Sequence, residues 1–140
     1  MSHRLVVGID GSPHAAAALR WAVKDAAEHA DGAVTAVLAW QEPFVSIPGA
    51  FDRDELEQGY KAFVVKTISE TVPSPPVPVT SLVAEGDPIE SLIEAAEGAD
   101  LLVLGTKGRS RFRGLMLGSV AAACAASSPC PVVLVRAGDA

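Results

Sequence analysis

Apolar residues alternate along the chain between two kinds of stretch: short continuous runs, and longer segments where they recur every three or four positions. The first run covers residues 4–10, RLVVGID, and ends in the carboxylate of Asp10. Gly11 then offers a turn, Ser12 an N-cap and Pro13 a first helical position. The pattern predicts a helix over residues 13–30, with Leu19, Val23, Ala26, Ala27 and Ala30 on its buried face and Gly32 ending it. A second apolar run, residues 33–40, reads as a strand, and residues 41–50, with two prolines and a glycine, read as a loop. From about Asp52 a helix is predicted again: Glu55 completes a capping box, and Leu56, Tyr60, Phe63, Val64 and Ile68 share one face.

Residues 71–78 hold four prolines, and a third strand is predicted from about 77 to 84. Proline removes a ladder donor, so this strand belongs at an edge. Asp87 as N-cap, Pro88 at the first helical position and Glu90 three residues after the cap open a helix carrying Ile89, Leu92, Ile93 and Ala96, which ends near Gly98. Then follow the apolar run 101–104, a glycine-containing loop, an alanine-rich helix opening at Ser119, and a last strand over 131–136. Cys124 and Cys130, neither a C-x-x-C pair nor spaced with His3, His14 and His29 as a metal set, read as buried reduced thiols.

Five strands alternating with four helices predict an α/β fold: an open five-stranded parallel sheet with helices on both faces. The third strand at an edge suits the order 3-2-1-4-5. The first and fourth strands are then neighbours where the winding reverses, the place where open sheets bind ligands. Asp10 and Gly105, at the ends of those two strands, are expected to meet there. The same order leaves the short apolar segment Val132–Val135 at the opposite edge, where it invites pairing with a second copy.

Charge adds one further feature. The chain carries a net charge of −6, which argues against binding nucleic acid, yet Lys107, Arg109, Arg111 and Arg113, four of its eleven lysines and arginines, fall in one loop. That loop joins a buried strand to a helix N-terminus, whose N–H groups favour anions. Gly105, Gly108 and Gly118 lack the Cβ that would keep backbone from a ligand, and the Ser119 hydroxyl suits either a cap or a phosphate. A turn aspartate remains an equal reading of Asp10, and loop glycines often serve only the turn. His14, on the first turn of its helix, reads as an exposed polar residue.

The spacing of Gly105, Gly108 and Gly118-Ser119, continued by Val120, resembles the ATP-binding signature of the universal stress protein family. VVGIDGS near the start, EGDP before the third helix and CPVVLVR at the end resemble that family's other landmarks, so the likeness spans essentially all 140 residues as one domain. It implies a Rossmann-like fold of the adenine nucleotide alpha hydrolase type and a bound ATP, with Mg2+ as a possible companion. It also implies roles: Asp10 and Gly105 near the ribose, Gly108, Gly118, Ser119 and Val120 around the phosphates, Ala39 beside the adenine through its backbone, and Ile9 and Leu104 lining that pocket. Arg109, next to Gly108, is added from charge alone. A homodimer through the last strand also resembles the family's association.

The reading that follows is a nucleotide-dependent regulatory protein of the stress response. The alternatives are a slow ATPase or nucleotidyl transferase using Asp10 with a divalent metal, a cyclic-AMP-binding member, and an interaction module without ligand. No P-loop, G-x-G-x-x-G or G-x-S-x-G pattern is present to supply other chemistry. No apolar run approaches the roughly 20 residues of a membrane span, and no basic segment followed by an apolar one opens the chain, so a cytoplasmic protein is expected.

Overall fold

The computed structural model describes residues 2–41, 52–107 and 117–138. The elements are β1 (His3–Gly8), α1 (Pro13–Ala27), β2 (Gly32–Trp40), α2 (Arg53–Thr71), β3 (Val79–Glu85), α3 (Pro88–Ala96), β4 (Leu101–Gly105), α4 (Ser119–Ser127) and β5 (Val132–Val135). All pairings are parallel, in the order β3-β2-β1-β4-β5. The expected order is therefore present, with β3 and β5 at the edges. Among the described residues no helix is long and apolar enough to cross a membrane.

The two faces of the sheet are covered by different helices because successive strand residues point to opposite sides. Leu5, Val7 and Ile9 of the first strand segment pack with Ala18, Leu19, Ala22 and Val23 of α1 and Val64 of α2. Val6, between them, packs instead with Leu92 and Ala96 of α3, Leu102 and Leu104 of β4, and Cys124 of α4. The central strands β1 and β4 are buried on both sides, as their continuous apolar runs require.

The helix caps follow the sequence closely. Ser12 Oγ accepts the Ala15 N–H at 3.1 Å, and Asp52 Oδ1 accepts the N–H groups of Asp54 and Glu55 at 2.9 and 3.3 Å. Asp87 Oδ2 accepts the Glu90 N–H at 3.1 Å. Each satisfies a donor that the first helical turn leaves without an intrahelical partner.

Several expectations need correction. Helix α1 stops at Ala27 with Glu28 as its C-cap, and both Ala27 and Ala30 are exposed. Gly32 does not end that helix; it opens β2 and is buried, and a Cβ there would lie 1.9 Å from the Ala26 carbonyl oxygen. Its glycine is demanded by close passage of strand against helix rather than by helix capping. On α2, Val64 is fully buried but Phe63 is 40% exposed, because the helix covers only the edge half of its face. Strand β3 begins at Val79 rather than 77; Pro78 contributes only its carbonyl, which accepts the Val34 N–H at 2.9 Å. Cys124 is fully buried, while Cys130 is half-buried with its Sγ 3.6 Å from Ser128 Oγ. Burial, and then the nearby Asp87 charge, push the Cys124 thiol above its ordinary pKa.

Candidate functional site

The site grows from the reversal in winding. After β1 the chain turns into α1 on one face of the sheet, and after β4 it passes towards α4 on the other. A cavity of about 270 Å³ opens at the neighbouring strand ends. Its size is close to the lower end of small-molecule sites, about 300 Å³.

Ile9, Asp10 and Ala39 reach the cavity from the ends of β1 and β2; Leu104 and Gly105 reach it from β4. Gly118, Ser119 and Val120 reach it from the start of α4. Residues separated by more than 100 positions thus face one space. Gly108 and Arg109 lie outside the described residues, as do Arg111 and Arg113.

The start of α4 has the features of an anion cradle. Gly118 is the N-cap and supplies no side-chain bond, and the first intrahelical bond is donated by the Ala122 N–H to the Gly118 carbonyl at 2.9 Å. The N–H groups of Ser119, Val120 and Ala121 therefore precede the first intrahelical donor. Ser119 is exposed and does not cap its own helix, which removes one of the two readings of its hydroxyl. Gly118 has φ −70° and ψ 159°, a conformation open to any residue. Backbone strain is therefore not what calls for glycine at this cavity-lining position. Its own N–H donates to the Thr106 carbonyl at 2.6 Å, tying the helix start to the end of β4.

Asp10 plays the turn role with one oxygen. Its Oδ1 accepts the Ser12 N–H at 2.9 Å across Gly11, whose φ of +83° suits glycine. Oδ2 makes no hydrogen bond among those found between the described residues, so the carboxylate can serve turn and cavity together. Gly105 also has a packing duty: a Cβ there would lie 2.7 Å from the His14 carbonyl carbon and 2.9 Å from the Ala15 nitrogen. The glycine first read as making room for a ligand makes room for the first turn of α1.

His14 itself is half-buried, not exposed. Its Nδ1 accepts the Ala137 N–H at 2.9 Å and lies 3.5 Å from Thr106 Oγ1, because the chain beyond β5 returns across the start of α1. Sequence reading also missed the apolar wall formed by Val37, Leu38, Pro88 and Leu92. The EGDP turn was the signal for Pro88 and Leu92, since it aims α3 at the carboxyl ends of the strands. Lys107, seen as a loop cation, lines the cavity too.

Known proteins place this arrangement. A model of the universal stress protein family matches residues 1–136. A universal stress protein of Mycobacterium tuberculosis is 36% identical over 134 residues, covering 94% of this chain but 47% of its own length; the chain spans about half of that relative. One from Thermus aquaticus is 34% identical over 142 residues, covering 97% of this chain and all of its own. A universal stress protein solved in complex with cAMP is 26% identical, with a TM-score of 0.73 over 97% of this chain and 98% of its own. The match in sequence runs through every element that borders the cavity, and the chain belongs to the universal stress protein family.

Proposed function

We propose that this chain binds ATP in the cavity between β1 and β4 and acts as a nucleotide-dependent regulatory protein. The observation that carries the reading is the convergence of an apolar wall, a carboxylate and an uncapped helix start on one space. Val37, Leu38, Leu92 and Leu104 fit the faces of an adenine ring, and the Ala39 backbone lies at the same wall. Asp10 would hold the ribose hydroxyls with Gly105 beside them. Ser119 and Val120 would take phosphate oxygens through their N–H groups and the Ser119 hydroxyl, with Gly118 beside them. Gly108, Arg109 and Lys107 would complete the phosphate side, where a Mg2+ ion could accompany the nucleotide.

Asp10 is the one carboxylate and Lys107 the one cation among the described lining residues. That set suits binding more than turnover, so a regulator is favoured over an ATPase. The relative bound to cAMP supports adenine recognition in the same fold and makes cyclic AMP the second reading. We further propose a homodimer through β5, whose outer edge has no partner strand within the described residues.

The test is calorimetric titration of nucleotide-stripped protein with ATP, ADP, AMP and cyclic AMP in magnesium buffer, with phosphate release followed in the same sample. ATP is expected to bind saturably without steady turnover. Preference for cyclic AMP would select the second reading, steady turnover the enzyme, and absence of binding to all four would overturn the nucleotide assignment.

A further inference from the structure

At the opposite end of the sheet, three side chains from the start of β1 and the end of α1 converge. His3 is the first residue of β1, Asp25 lies in the last turn of α1, and His29 follows just beyond it. His3 Nε2 is 3.0 Å from Asp25 Oδ2. The His3 and His29 rings stack with centroids 3.6 Å apart and planes inclined by 25°. One donor atom from each of the three residues lies within 4.8 Å of the other two.

We propose that His3, Asp25 and His29 form a binding site for a divalent transition-metal ion, with zinc the best fit. Two imidazole nitrogens and one carboxylate oxygen are the donor set zinc accepts. An ordinary His–Asp pair explains the His3–Asp25 contact alone. The second imidazole nitrogen brought to the same carboxylate makes a set of three. Bonds of about 2.0–2.2 Å place tetrahedral ligands roughly 3.4 Å apart, so closing on the ion takes shifts of about 1 Å and a rotation that unstacks the two imidazoles. Three protein ligands leave a fourth position for water.

The surroundings favour a cation. The carbonyls that end α1 carry the negative end of its dipole, and they lie beside the cluster: the Asp25 and Ala26 carbonyls accept the N–H groups of Glu28 and His29, each at 3.1 Å. The His3 and Asp25 side chains are 20% and 28% exposed and His29 is exposed, so an ion can enter from solvent. Bound there, it would clamp the start of β1 to the end of α1. The six residues of β1 put the cluster about 20 Å from the nucleotide cavity, so this site stands or falls independently of the proposed nucleotide.

The experiment is zinc titration of the chelator-treated, nucleotide-free chain by calorimetry, paired with the visible spectrum of a Co2+ complex. One zinc per chain at micromolar affinity is expected, with the intense absorption of tetrahedral cobalt. His29→Gln, at an exposed position where folding is not at stake, is expected to weaken zinc at least about tenfold and to abolish the zinc-induced rise in unfolding temperature. Asp25→Asn is expected to do the same. Absence of saturable zinc binding below about 100 μM, or equal affinity in a His3→Gln/His29→Gln double variant, would overturn the proposal.

Discussion

The two ends of the sheet are made from the same strands, yet the amino end is closed and the carboxyl end holds the cavity. At the amino end Asp100 Oδ2 accepts the Arg4 N–H at 2.7 Å, and the Asp31 carbonyl accepts that of His3 at 3.2 Å. Gly32 there lets β2 start against the Ala26 carbonyl. At the carboxyl end α1, which follows β1, packs on one face and α4, which follows β4, packs on the other, and the cavity lies where those two strands are neighbours. The place of the cavity is thus a property of connectivity. What lines or seals each end is decided residue by residue.

Three substitutions and one labelling experiment bear on that contrast. Gly32→Val should do most, lowering stability by more than about 3 kcal/mol, because its Cβ meets backbone that cannot rotate away. Urea unfolding would show it; a loss under about 1 kcal/mol would mean the amino end is less tightly closed than its distances indicate. At the other end Gly118→Phe should raise the Kd for nucleotide about 100-fold, roughly 2.7 kcal/mol, with a stability loss of no more than about 1 kcal/mol from the poorer N-cap, since φ and ψ at Gly118 suit any residue. A larger stability loss with unchanged affinity would reverse the roles.

Gly105→Ala separates packing from ligand contact at one position. Its Cβ would press on the His14 backbone, so a loss of about 1–2 kcal/mol is expected without any nucleotide present. Were the glycine there only for a ligand, stability would hold and affinity alone would fall. The smallest effect concerns the thiols. Iodoacetamide should label half-buried Cys130 well ahead of Cys124, which burial both shields and holds in its unreactive protonated form. Mass spectrometry of timed samples would reveal equal rates if Cys124 were reachable.

Local signals read well from the chain because they act over a few residues. Ser12, Asp52 and Asp87 cap the helices they were expected to cap, since a cap depends only on the next three N–H groups. The prolines around residues 73–78 mark β3 as an edge strand, and the apolar runs of β1 and β4 mark them as central, both as the observed order has them. Ile9, Asp10, Ala39, Leu104, Gly105, Gly118, Ser119 and Val120, chosen from family likeness and strand ends, border one cavity. Gly108 and Arg109, chosen with them, fall outside the described residues.

Contacts between distant segments were a different matter. Periodicity placed Ala27 and Ala30 inside because a repeat of three to four says which face is apolar, not where the covering neighbour stops. His14 looked exposed because nothing near it in sequence announces that Ala137 will donate to its ring. Asp25 and His29 are four residues apart, but only the packing of α1 against β1 brings His3 to them. The elements, their caps and the family are legible in the chain, because each is written in short-range chemistry or in pattern, and the edge prolines of β3 suit the strand order. Tertiary structure alone decided why Gly32 and Gly105 are glycines, where His14 lies, and which side chains meet at the amino end, because close approach exists only once segments far apart in the chain have packed.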